Sequence, residues 1–92
     1  MDLKEIRKYI NVIDGQIINL LSQRITLCES LVKIKKKENL PIEQPDRETK
    51  MRNQYTVQAQ ISNLDPDFVW RVFRIIIDEM INQQKTLMKD SA

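Results

Sequence analysis

Over the first 37 residues, apolar side chains recur at Leu3, Ile6, Ile10, Ile13, Ile17, Leu20, Leu21, Leu27, Cys28, Leu31 and Ile34. Gaps of three and four are the repeat of one helix face. The stretch has no proline and one glycine, Gly15. Asp2, with Glu5 three residues on, offers an N-cap and its partner. Lys35, Lys36 and Lys37 put positive charge where the carbonyl end of a helix favours it. Asn39 and Pro41 then stop the run. The pattern predicts one helix from Asp2 to Lys37.

Two shorter helices follow from punctuation. Residues 39 to 45, Asn-Leu-Pro-Ile-Glu-Gln-Pro, form a loop bracketed by prolines. Pro45-Asp46-Arg47-Glu48 opens a second helix that runs to about Gln60, with Met51, Tyr55 and either Ala59 or Val57 facing inward. Ser62-Asn63 ends it. Asp65-Pro66-Asp67 supplies an N-cap, a proline at the first helical position and an acid in the first turn. The third helix runs to about Lys89, with Phe68, Val69, Val72, Phe73, Ile76, Ile77, Met80 and Leu87 as its buried face. No stretch alternates with period two for long enough to make a strand, so the fold class is all-α, three helices in one domain over residues 1–92.

The first helix is too long for the rest. At about 1.5 Å per residue it reaches roughly 54 Å. A compact domain of this size has a radius of gyration of ~12 Å, hence a diameter near ~30 Å. The apolar stripe does not stop partway, so its excess length calls for a second chain. The expected assembly is an obligate homodimer.

Composition narrows the classes. A content of 41% hydrophobic and 30% charged residues is ordinary for a soluble globular protein. A net charge of +2, with acids and bases interleaved, does not suit a nucleic-acid binder. Lys33, Lys36 and Lys37 read as a solvated helix end. There is no histidine and one cysteine. That excludes an intrachain disulfide, a Cys/His zinc site and histidine-activated nucleophiles. Cys28 lies on the apolar stripe and reads as a small core residue. The N-terminus is charged at once, unlike a signal peptide, and the longest apolar runs are far short of a membrane span. A cytoplasmic location with no membrane partner is expected. Trp70 and Tyr55 are expected to finish the core.

Some polar side chains fall where apolar ones belong. At ~100° per residue, Arg24 lies mid-stripe beside Ile6, Ile17 and Cys28, Lys35 lies three turns further on, and Arg7 sits at the edge. Gln84 falls between Phe73, Ile77 and Leu87. A buried cation without an anion costs several kcal/mol. One solution is internal: Arg24 pairs with an acid such as Glu48, and Lys35 snorkels to water. The other is that the anion is a ligand, and the converging cations form a pocket for a small polyanion.

These residues together resemble a known family. Ile6-Arg7, Ile10, Ile13-Asp14, Ile17, Leu20-Leu21, Arg24 and Lys35 look like the first helix of the all-helical chorismate mutases. Pro41-Ile42 followed by Arg47-Glu48 is similar to that family's Pro-Ile-x-x-x-x-Arg-Glu signature, and Phe73, Ile76-Ile77 and Gln83-Gln84 resemble its last helix. The resemblance implies an intertwined dimer with the long helix shared between two active sites, and the rearrangement of chorismate to prephenate without cofactor or metal. It also implies roles. Arg24, and Arg7 from the partner chain, would hold the two carboxylates. Lys35 would reach a carboxylate and the ether oxygen of the breaking bond, and Gln84 would donate a second hydrogen bond there. Glu48 would accept from the ring hydroxyl near Gln44, and Arg47 would complete the charge network. Gln44 stands where many members carry an acid, and Met80 where some carry a serine near the carboxylate. A lyase that releases pyruvate from isochorismate shares the fold, and the intact Arg47-Glu48 pair favours the mutase. A non-catalytic helical dimer would have no reason to gather these residues in one pocket.

Overall fold

The computed structural model describes residues 1–90. Four helices follow one another: α1 (Leu3–Thr26), α2 (Cys28–Lys37), α3 (Pro45–Ile61) and α4 (Pro66–Asp90). Among the described residues there is no strand, and no helix is long and apolar enough to cross a membrane.

The single helix expected over Asp2 to Lys37 is interrupted at one residue. Leu27 keeps helical angles (φ −71°, ψ −14°) but bonds three residues back, its N–H to the Arg24 carbonyl at 3.2 Å. That is the tighter 3₁₀ spacing. At the preceding residue the Thr26 hydroxyl donates to the Ser22 carbonyl at 2.9 Å, a side-chain competitor beside the ladder. The apolar period carries no trace of this backbone competition. At the N-terminus the Asp2 carboxylate accepts from the Glu5 N–H at 2.8 Å, as the cap signature required. Principal extents of 55 × 27 × 15 Å and a radius of gyration of 16.6 Å, against the ~12 Å of a compact chain this long, describe a body with a projecting rod.

Both interhelical stops use asparagine. Asn39 and Asn63 have φ of 53° and 57°, the left-handed region that asparagine tolerates better than most residues. After α2 the Leu40 N–H reaches the Lys35 carbonyl and the Asn39 N–H the Lys36 carbonyl; after α3 Leu64 and Asn63 repeat the arrangement on Ala59 and Gln60. This double bonding closes each helix and reverses the chain. Valine at position 63 meets the Cβ clash that asparagine offsets. Asn63→Val is therefore expected to cost about 1–2 kcal/mol, read as a lower urea midpoint at fixed protein concentration with an unchanged slope.

Helix α4 touches every other helix. Its Ile77 and Ile81 meet Met51 of α3, and Ile42, Tyr55, Trp70 and Phe73 pack around that cluster. The Tyr55 and Phe73 rings lie 4.6 Å apart, tilted by 44°. Arg52 lies over the Trp70 ring. Ala59, rather than Val57, is the inward residue of α3. Cys28 is buried as expected, and Val32 joins it.

One expectation about burial is corrected. Phe68 and Val72 are exposed in the single chain. On the wheel, at about 100° per residue, they lie on the far side of α4 from Ile77, beside exposed Ile75. Helix α4 therefore has two apolar faces, of which one is covered. Likewise α1 has no buried residue, and Ile6, Ile10, Ile13, Ile17, Leu20 and Leu21 are all exposed.

Candidate active site

A cleft of about 240 Å³ opens between the end of α1, α2, the 39–45 loop, the start of α3 and the middle of α4. Its apolar floor is Leu31, Ile42, Met51, Ile77, Met80 and Ile81; its polar wall is Arg24, Lys35, Gln44, Arg47, Glu48 and Gln84. Seven of the eight residues singled out from the sequence line it. Arg7 does not. It lies on the exposed face of α1 beside Leu3, Lys4, Lys8 and Asn11, roughly 25 Å along the helix axis from Arg24 at 1.5 Å per residue.

Local structure explains how each side chain arrives. Arg24 and Lys35 are eleven residues apart, three turns of helix, so they share a face. The left-handed Asn39 folds the loop back until the Ile42 carbonyl accepts from the Lys35 ammonium at 2.7 Å. Gln44 precedes α3 at its N-cap position, and Pro45 starts the helix, which sets Arg47 and Glu48 in its first turns.

Lys35 does not snorkel to water. Besides Ile42 its ammonium donates to Gln84 Oε1 at 2.7 Å. An ammonium only donates, so the Gln84 amide must turn its oxygen toward it. Gln84 Nε2 then faces the Met80 carbonyl at 3.2 Å. Each group keeps one N–H uncommitted: the third on Lys35 and the second on Gln84. Gln84 is only 4% exposed, so this pair is held in place by burial as well as by bonding. Burial holds the Lys35 ammonium below the ordinary lysine pKa, opposed by the neighbouring Cys28. The Cys28 thiol is pushed up by burial against the pull of Lys35 and Arg24, so it stays protonated at neutral pH. Its sulfur faces the Met80 carbonyl at 3.8 Å.

The internal pairing of Arg24 with Glu48 does not form. The Arg24 guanidinium lies over the Phe73 ring, 5.6 Å from its centre. Glu48 instead bonds Arg74, whose guanidinium also grips Asp78 at 2.7 and 3.0 Å. Among the described residues no carboxylate forms a salt bridge with Arg24, Lys35 or Arg47. Arg74 was invisible in the sequence. With Asp78 four residues on, it looks like a common surface pair of α4, and its 26-residue separation from Glu48 leaves no local trace.

The wall thus offers three cations, two spare N–H donors and one acceptor carboxylate above an apolar floor. Such a site can hold a small dianion in a fixed posture and stabilise charge that develops on one of its oxygens. Among the described residues no group of acids and cysteines could hold a metal ion.

Residues 6–85 match the family described as chorismate mutase type II. The chain is 29% identical over 89 residues to the chorismate mutase of Methanocaldococcus jannaschii, covering 97% of this chain and 90% of that one. It is 34% identical over 87 residues to the bifunctional chorismate mutase/prephenate dehydratase of Buchnera aphidicola subsp. Schizaphis graminum, covering 95% of this chain and 23% of the relative. A stretch of 47 residues is 49% identical to the corresponding bifunctional protein of Aquifex aeolicus. The chain therefore spans about a quarter of the length of the bifunctional relative from Buchnera. Because the match reaches from α1 to the last turns of α4 and spans every residue of the cleft wall, this chain belongs to the chorismate mutase type II family.

Proposed function

We propose that residues 1–92 form a chorismate mutase domain, converting chorismate to prephenate by an intramolecular rearrangement. The observation that carries this reading is the gathering of Arg24, Lys35, Arg47 and Gln84 on one cleft wall, with no carboxylate among the described residues in a salt bridge with the three cations. The substrate is a dianion and supplies the missing counter-charge. The reaction is pericyclic, so it asks for no nucleophile, base or metal. It does ask for a compact, chair-like conformer, which fixed cation–carboxylate forks favour. As the C–O bond breaks, negative charge grows on the ether oxygen. The spare N–H of Lys35 and that of Gln84 are donors for that charge and bind it better as it develops. Glu48 accepts from the ring hydroxyl beside Gln44. Met80 contributes hydrocarbon rather than a donor near the carboxylate, and Arg47 adds a third positive charge to the wall that faces the dianion.

The reading includes an intertwined homodimer in which Arg7 of the partner subunit closes the cleft over the second carboxylate. The support is physical. Burying the six exposed stripe residues of α1 is worth on the order of 5–10 kcal/mol before association entropy is counted. The second apolar face of α4, with Phe68, Val72 and Ile75, also needs cover.

Incubation with chorismate, followed by its loss in the ultraviolet and by product identification, tests the activity. Prephenate is expected. Release of salicylate and pyruvate from isochorismate, with chorismate untouched, would point to the lyase instead.

The lowered Lys35 pKa gives a pH signature. The free protein loses this ammonium earlier in the alkaline range than a solvent-exposed lysine does. Thus kcat/KM should fall along an alkaline limb with its midpoint below the ordinary lysine value. A bound dianion favours the charged form, so the limb in kcat should lie at higher pH. Coincident limbs would show that Lys35 is not the group that titrates.

A further inference from the structure

Among the described residues Glu48 is the one carboxylate on the cleft wall, and Arg24, Lys35 and Arg47 line the same cavity. Left to itself, an acid there has an obvious partner: the pocket's own cations, the pairing the sequence suggested. In the structure it is claimed from behind. Arg74 is not part of the cleft lining, yet its Nη1 bonds Glu48 Oε1 while its Nε and Nη2 are anchored on Asp78 Oδ1. The anchor matters because it fixes the guanidinium plane on α4. Arg74 cannot follow Glu48 into the cavity without giving up two bonds. One oxygen of Glu48 is thereby committed and the other is left for the cleft.

Resting on the reading above, we infer that Arg74 is a positioning residue for substrate binding: it holds Glu48 away from the substrate-binding cations and keeps its second oxygen available to the ligand. Without Arg74, Glu48 swings onto Arg24 or Arg47 and occupies the place of a substrate carboxylate. The defect is competition in the ground state. It raises the dissociation constant of any small dianion and leaves the chemical step of bound substrate largely intact.

The test reads binding and turnover separately. Malonate, a small dianion, is titrated by calorimetry into the wild-type protein, Arg74→Ala, Arg74→Lys, Glu48→Gln and the Glu48→Gln/Arg74→Ala double variant, each checked for helical content. The chorismate KM and kcat are measured on the same set. Arg74→Ala is expected to weaken malonate binding and raise KM by about tenfold, with kcat within about threefold; Arg74→Lys restores most of the loss, and in the Glu48→Gln background the further change is under about twofold. An unchanged malonate affinity and KM in Arg74→Ala would overturn the inference. So would an equal loss in both backgrounds, which would make Arg74 a structural support independent of Glu48. If the wild-type protein leaves chorismate unaltered while the malonate pattern holds, the positioning role stands and the assigned reaction falls.

Discussion

Lys35→Ala is expected to lower kcat by about 100-fold or more, by analogy with the loss of one oxyanion donor. The size follows from where the charge is. The ammonium is already partly desolvated and already fixed by Ile42 and Gln84, so it needs little reorganisation when charge appears on the ether oxygen. Its spare N–H is worth little to the neutral ether of the ground state and much to the transition state, so kcat suffers more than KM. The substitution also leaves the Ile42 carbonyl and Gln84 Oε1 without a donor, at about 1–3 kcal/mol for each such group. Removing a half-buried cation offsets part of this. Stability must therefore be measured alongside, and kcat taken well below the unfolding midpoint. Near-normal turnover in a folded Lys35→Ala protein would remove Lys35 from the chemistry.

The second large effect is complementation. Arg7→Ala and Lys35→Ala proteins should each be nearly inactive. In an intertwined dimer each cleft takes Lys35 from one chain and Arg7 from the other. A mixed dimer then has one cleft lacking both groups and one cleft lacking neither. Random exchange makes half the dimers mixed, so an equal mixture should regain about a quarter of wild-type activity after unfolding and refolding together. If every cleft were built from one chain, each would carry one lesion or the other and nothing would return. The α1 geometry makes the first outcome the expected one, since within a chain Arg7 is roughly 25 Å from Arg24 along the axis at 1.5 Å per residue.

Most of the helical architecture could be read from residue order. The Asp2 cap, the proline starts at Pro45 and Pro66, and the asparagine stops are local devices whose chemistry lies within five residues. Those ends therefore matched to within a residue or two, whereas the break at Leu27, which no such device marks, was missed. Faces were harder. Phe68 and Val72 are apolar for a surface this chain leaves open, and a list of apolar positions alone merges them with Ile77, although the wheel sets them on the opposite side of α4. The site split along the same line. Arg24, Lys35 and Gln84 stood out because each breaks an apolar stripe. Arg74 broke none, since it sits on a polar edge beside Asp78, and only tertiary structure brings it to Glu48. Which acid meets which cation is set by the crossing of α3 and α4, and no local spacing encodes that. Likewise, the direction of the Gln84 amide follows from the Lys35 ammonium 2.7 Å away.

The central claim is that cations from two interwoven chains converge on one small dianion. A crystal structure of the protein with a stable cyclic dicarboxylate shaped like the compact substrate tests it most directly. The account predicts one ligand in each cleft of a dimer, with one carboxylate on Arg24, the other on Arg7 of the partner subunit, and the Lys35 and Gln84 donors on the bridging oxygen. A monomer, or a ligand seated away from Lys35 and Gln84 with the partner's α1 elsewhere, would contradict it.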